Sequence, residues 1–255
     1  MSAEAFIIES NTRRQIMIQR LSNGVWEETK PILKDMSDKI RDRIRSADTE
    51  MRRGQLAVLL QDVQSALDEG EKEFDRLLRE RVIEFAQDEA EFQKQTFEKM
   101  TDEPVQPVEE GSLTGEIMTG ALLLGLAGGN TFNANFNQVV NRQFQQNSQD
   151  IKNTISTGFI NKRDQGEVRK DIDRKVGNRM VTQSRAVVAT LMNHAANVTR
   201  TLFANANGGL VQNERYVAVL DSRTTMRCAG LDGQIFLAQE GPQPPLHYNC
   251  RSIRV

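Results

Sequence analysis

Aromatic residues make up only 5% of the 255-residue chain. That scarcity excludes an interior built on stacked rings and leaves an aliphatic one, of the kind helices supply. Two cysteines are too few for a disulfide framework and say little about redox compartment. A cleavable leader is missing, because Met1 to Glu9 has no basic start and its short apolar stretch stops at Glu9. Long apolar runs are scarce too. The one candidate, Ile117 to Gly129, falls short of the roughly 20 residues that cross a bilayer, and its glycines weaken a helix. It reads as a buried packing segment, membrane contact is not expected, and a soluble product of the cytoplasm follows.

What is present supports a real core. Hydrophobic residues are 38% of the chain, and its length suits one or two domains. The net charge of −2 hides an uneven spread. Residues 1–103 hold 17 Lys and Arg against 23 Asp and Glu, whereas residues 131–255 hold 16 against 9. Such polarity marks a chain whose ends face different partners, or else helix faces that are merely solvated differently. Any nucleic-acid contact belongs to the basic half.

The first hundred residues read as long helices. Ile32, Leu33, Met36, Ile40 and Ile44 recur at helical spacing. After Arg52-Arg53-Gly54 a second pattern begins. Leu60, Val63, Leu67, Phe74 and Leu77 fit a heptad seam, which Leu78, Val82, Phe85 and Phe92 continue after a shift of phase. An antiparallel hairpin or coiled-coil-like pair is expected over 1–100. A Pro- and acid-rich linker from Thr101 to Ser112 opens a joining region, 101–130, which also holds the apolar Gly-rich run. The third region is 131–255. Within it, Thr131 to Asn147 is Asn- and Gln-rich but places Phe132, Phe136, Val139, Val140 and Phe144 at helical spacing. Helices resume after Gly158, with a start at Asp164 to Gly166 and Val168, Ile172 and Val176 on one face. Gly177 separates these from a long helix, Met180 to Ala206, which Gly208-Gly209 stops. His194 inside it reads as a packed or solvent-facing residue. Strand signals come last, at Arg215 to Leu220 and Gln234 to Ala238, with Tyr248 to Val255 as a third. The fold class is mainly α, with a small α+β terminal module carrying a short sheet.

Chemistry-bearing residues crowd into that module. Cys228, His247 and Asp221 have the residue types of a nucleophile, a base and an orienting carboxylate, but no nucleophile elbow frames Cys228. Cys228, His247 and Cys250 could supply three zinc ligands, with Asp221 or Asp232 as a fourth, although only one ligand pair is close in sequence. The favoured account is two packed thiols or a Cys228–Cys250 bridge, the latter adding about 3 kcal/mol by loop entropy. The rest suit a structural knot. Asp221 can cap backbone donors, and Arg223 and Arg251 offer forked donors to Asp221 or Asp232. Thr224 belongs to the same turn, and Gly230 and Gly233 permit tight reversals.

Asp221-Ser-Arg-Thr-Thr, Cys228, Leu231-Asp-Gly233 and Pro244-Pro-Leu-His-Tyr-Asn-Cys-Arg251 resemble the signature of the Mu F-like minor head proteins of tailed bacteriophages. Thr182, Arg185, Thr190 and Asn193 to Ala196 look like the long helix of that family. Two family cysteines are replaced, by Thr225 and Ser252. The resemblance implies a non-enzymatic minor capsid protein with no cofactor, resident in the virion and made in the host cytoplasm. Portal or major capsid protein would be its partners, with self-association open, and its roles would lie in head assembly, DNA packaging or genome delivery. Packaged duplex DNA would be met nonspecifically by Arg142, Lys152, Lys162, Arg163, Arg169, Lys170, Arg174 and Lys175. The alternatives are an ejected protein that acts on the host envelope through Ile117 to Gly129, and a thiol hydrolase.

Overall fold

Two helices of 43 and 46 residues open the chain, α1 over Ala3–Arg45 and α2 over Arg53–Glu98. Each is roughly 65–70 Å long at 1.5 Å per residue. The computed structural model describes residues 2–47, 53–125, 131–238 and 240–255, the side chains of 176–178 excepted. After the irregular stretch at 101–109 come α3 (Glu110–Thr119) and a hairpin of β1 (Leu122–Gly125) with β2 (Thr131–Ala134). Next are α4 (Phe136–Ile160), α5 (Gln165–Asp173), a π-helical stretch (Arg174–Met180) and α6 (Val181–Ala206). The tail adds β3 (Asn213–Val217), α7 (Met226–Leu231), β4 (Ile235–Leu237) and β5 (Ile253–Arg254). The three tail strands form an antiparallel sheet in the order β4-β3-β5, with Arg215 opposite Ile235 and Tyr216 opposite Arg254.

The chain divides into two compact units. A helical unit comprises Val25–Arg79 and Gln138–Val187; a tail unit comprises Met1–Gly24, Glu80–Asn137 and Val188–Val255.

In the helical unit the interior is aliphatic, as the composition requires. Ile32, Leu33, Met36, Ile40 and Ile44 of α1 are buried, as are Val63, Leu67, Phe74 and Leu78 of α2. Phe144, Ile151 and Ile155 of α4 and Val168 and Ile172 of α5 complete it, with the Phe74 and Phe144 rings 5.4 Å apart. Lys39 reaches Glu69, and Met36 lies against Gly70, so α1 and α2 run antiparallel here. The α5 start is a side-chain cap, in which Asp164 accepts the backbone N–H of Gly166 and Glu167.

The seam of α2 is more regular than two heptad registers. Buried positions recur at Val63, Leu67, Gly70, Phe74, Leu78, Val82, Phe85, Glu89, Gln93 and Thr96. Steps of four and three average about 3.7 residues, the spacing of an eleven-residue repeat. No phase shift is needed, and Leu60 and Leu77 sit at the edge of one continuous stripe.

Three other expectations change, and the apolar run gains its elements. Thr131 to Ala134 pair with β1 as a strand, and the helix begins only at Phe136. Gly158 lies inside α4, where a Cβ would stand 2.5 Å from Val168 Cγ2; the glycine allows close packing instead of ending the helix. Gly177 lies in the π-helical stretch that carries α5 into α6 without a break, and the side chain of Val176 is outside the described residues. The apolar run is the end of α3 followed by β1, with Ile117, Leu122 and Leu124 buried, while Leu126 to Gly129 lie outside the described residues. No described helix is long and apolar enough to cross a membrane.

Candidate functional site

The site is built on α6 within the tail unit. From Leu191 to Asn197 every residue of that helix is buried, polar ones included. Those polar side chains face partners rather than solvent, because a buried amide or hydroxyl without one is costly. Thr190 Oγ1 accepts the Asn249 N–H at 3.0 Å, Asn193 Nδ2 donates to the Ser252 carbonyl at 3.1 Å, and Asn197 Oδ1 accepts the Arg254 N–H at 3.1 Å. Three side chains, roughly a helical turn apart, thus hold three backbone groups of an extended tail. Gln15 of α1 joins them, donating to Asn193 Oδ1 and to the Arg251 carbonyl, each at 3.0 Å. The family-like Thr190 and Asn193 are the residues that tie the tail down; Thr182 and Arg185 are exposed.

Held this way, the tail brings Cys228, His247 and Cys250 together. Their ligand atoms all lie within 4.8 Å of one another. Cys228 Sγ is 3.3 Å from His247 Nε2 and 3.8 Å from Cys250 Sγ, and the Tyr216 hydroxyl donates to it at 3.4 Å. His247 Nδ1 lies 2.8 Å from the Tyr248 carbonyl, which can only accept, so Nδ1 carries the proton and Nε2 faces the sulfur. Asn249 turns the chain with a left-handed φ of 57°, a conformation asparagine tolerates, and the Cys250 N–H closes that turn on the His247 carbonyl. Cys228 and Cys250 are free, buried thiols, which is the packed-thiol alternative rather than the bridge.

Hydrogen bonding from Cys250, and then from His247, holds the Cys228 thiol well below its ordinary pKa against the opposing effect of burial. The same bond and burial push Cys250 up. His247 is raised by the Cys228 sulfur.

Asp221 does not complete a catalytic triad. Arg251 grips both its oxygens at 2.6 Å, and its carboxyl is held far below the usual range, first by Arg251 and then by the Arg223 N–H. Thr224 closes the same turn, donating to the Val219 carbonyl and accepting the Asp221 N–H. Arg223 is exposed and only 3.4 Å from Asp221, so one arginine of the expected two is the anchor. Asp232 accepts the Ala218 N–H at 2.8 Å and takes no arginine. Gly233 turns with φ 78°, as expected, whereas Gly230 is inside α7 with open space around it. Thr225 caps α7 by accepting the Cys228 N–H.

The cleft beside Cys228 and His247 has a volume of about 10 Å³, room for a single water and not for a substrate. A larger cleft of about 300 Å³ is lined by Glu116, Leu122, His194, Asn197, Gln243 and Pro245 among others. Of its two readings His194 is the packed one, its Nε2–H directed to the Ile117 carbonyl at 3.2 Å; burial lowers its pKa to about 4.

Two buried ionic groups escaped sequence reasoning. Glu89 of α2 is fully buried between Arg14 of α1, at 2.8 Å, and Arg200 of α6, at 2.9 Å. Arg14 also reaches Asp88 and lies over the Phe92 ring. In the tail sheet Arg254 is wholly buried, donating to Glu214 and to the carbonyls of Leu237 and Glu240. Glu89 falls three residues after Ala86 and four before Gln93 on the α2 stripe, and that periodicity was the one signal available.

The eight basic residues expected to meet DNA all belong to the helical unit, none to the cysteine cluster. Arg163 and Arg174 share Asp171, and Lys175 donates to the Asp150 carbonyl. Arg142, Lys152 and Arg169 are half-buried, whereas Lys162 and Lys170 are exposed.

No curated protein and no solved structure matches the chain. Residues 149–254 match the family described as Phage Mu protein F like protein. They contain the clasping helix and the whole motif from Asp221 to Arg251. Over residues 149–254, less than half of its length, the chain is similar to the Phage Mu protein F like family.

Proposed function

We propose that the protein is a non-enzymatic minor head protein, built into the phage head in few copies at the portal vertex. The observation that carries this reading is the family match over 149–254, taken with a motif whose polar groups are occupied by one another. A cleft of about 10 Å³ beside Cys228 supports the same reading, since a hydrolase needs its nucleophile within reach of a substrate. Portal or major capsid subunits are the partners, and the role lies in head assembly, packaging or genome delivery. Mass spectrometry of purified, DNA-filled particles tests it. The chain should be present at a few copies per portal, and its absence from the particle overturns the assignment.

Packaged DNA is met by the helical unit. Lys152, Lys162, Arg169 and Lys170 are the contacts, while Arg163, Arg174 and Lys175 already serve internal partners. Contact with phosphates alone makes affinity fall steeply with salt. Full-length protein should bind duplex DNA of any sequence at low salt. Replacing Lys162 and Lys170 by glutamate should flatten the salt dependence by about two in log–log slope, at roughly 0.9 per phosphate contact. Failure of the parent protein to bind at low salt removes DNA from the list of partners.

A further inference from the structure

We propose that Cys228, Cys250 and His247 bind one structural zinc ion. A tetrahedral zinc with Zn–S near 2.3 Å and Zn–N near 2.0–2.1 Å sets its sulfurs about 3.8 Å apart and a sulfur and nitrogen about 3.5 Å apart. The corresponding edges here are 3.8 Å and 3.3 Å. A disulfide would need its sulfurs at about 2.05 Å. Two thiols in simple contact would also stand this far apart, so the sulfur pair alone does not choose. The third corner does. His247 spends its Nδ1 on the Tyr248 carbonyl and turns Nε2 toward Cys228, the arrangement in which metal-binding imidazoles are oriented and made more basic.

The surroundings fit an ion held for structure. Two thiolates neutralise a divalent cation, so the loaded site adds no net charge to a buried place; the two thiol protons leave to solvent on binding. The fourth position is a water in the 10 Å³ cleft that Cys228 and His247 line, too small for a substrate carbonyl. The Tyr216 hydroxyl donates to the Cys228 sulfur and steadies it. Around the cluster the apolar core of the tail module is small, consisting of Tyr216, Ala218, Leu246 and the two cysteines, with Leu231 and Phe236 at its edge. A module with so little apolar material gains most from a metal tie.

The test uses the full-length protein, expressed with zinc in the medium and purified under reducing conditions. Elemental analysis should find about one zinc per chain. Cobalt(II) added after chelation should give strong d–d bands between roughly 600 and 750 nm and a thiolate charge-transfer band in the near ultraviolet, the signature of a tetrahedral thiolate site. C228S and C250S should lose both, and H247Q should weaken zinc retention by at least about tenfold. Because the serine variants could misfold, the parent protein supplies a second readout. Chelation should lower its melting temperature by several degrees and zinc should restore it, while the loaded form protects both thiols from alkylation. A chain that carries no zinc and whose melting temperature ignores added zinc overturns the proposal. So does zinc that persists unchanged in folded C228S and C250S.

Discussion

The helical unit and the tail unit fill their interiors with different chemistry. Met36, Phe74, Leu78, Phe144 and Ile155 typify a helical interior that is mainly apolar, and the polar residues buried with them, Thr29, Gln143, Asn147, Ser148, Thr154 and Ser184, are uncharged. In the tail unit Glu89, Arg200, Asn193, His194, Asn197 and Arg254 are as deeply buried as any leucine. Apolar packing is tolerant, because a methyl group can shift and still find neighbours. A buried hydrogen-bond network is not, because each member left alone bears its full desolvation cost. The second arrangement trades tolerance for a single geometry, which suits a tail that must present two thiols and an imidazole in fixed relation.

That contrast is sharpest at Glu89. Replacing it by glutamine leaves Arg14 and Arg200 buried with one carboxylate fewer, and should cost about 3–5 kcal/mol in urea unfolding. The triple variant with leucine at 89 and methionine at 14 and 200 should recover most of that loss or exceed the parent. If E89Q costs under about 1 kcal/mol, the triad is wetter than its burial implies.

Acid should find the same region. His194 is neutral in the folded protein, with a pKa near 4 against 6.5 in the unfolded chain. Between those values the unfolded state binds the extra proton, so stability is full above pH 6.5 and falls as pH drops toward 4, by on the order of 3 kcal/mol. H194Q should flatten this part of the stability–pH curve; an unchanged slope would assign it elsewhere.

Asn193→Ala should cost about 1–3 kcal/mol, since it leaves the Ser252 carbonyl and Gln15 short of a partner. Faster alkylation of Cys228 and Cys250 should accompany it, because the same bond positions the tail.

The smallest effects belong to the apolar side, and two glycines there divide by what surrounds them. A Cβ at Gly158 meets the branched Val168 at 2.5 Å, so G158A should destabilise by about 1–2 kcal/mol. At Gly70 the Met36 Sδ, at 2.8 Å, can swing away while its Cβ, at 3.1 Å, must give slightly, and the helical preference for alanine, worth about 1 kcal/mol, should offset that and leave G70A near neutral. Equal losses at both sites would mean that Met36 cannot move aside.

Legibility followed the same divide. Ile32 to Ile44 and Val63 to Leu78 announced their helices because an apolar stripe has a period that can be read. α6 did not announce its polar contacts, since Thr190 and Asn193 look like a solvent face until the tail that binds them is known. The tail strands and the cluster of Cys228, His247 and Cys250 were legible as ingredients through turn residues and motif order. Their geometry was not, because it depends on contacts made across 50 or more residues, such as Asn193 with Ser252. The β1–β2 hairpin was hidden by Phe132 and Phe136, whose spacing imitates a helix although Phe132 is in a strand.

The burial of Arg254 has a consequence for biosynthesis. α6 cannot satisfy its own amides until residues 249–254 have left the ribosome, so every nascent intermediate carries open donors and acceptors along its middle. Completion of the tail unit therefore waits on residues 249–254. A product nicked ahead of Asn249 forfeits the whole clasp, leaving Thr190, Asn193 and Asn197 without the backbone groups they hold.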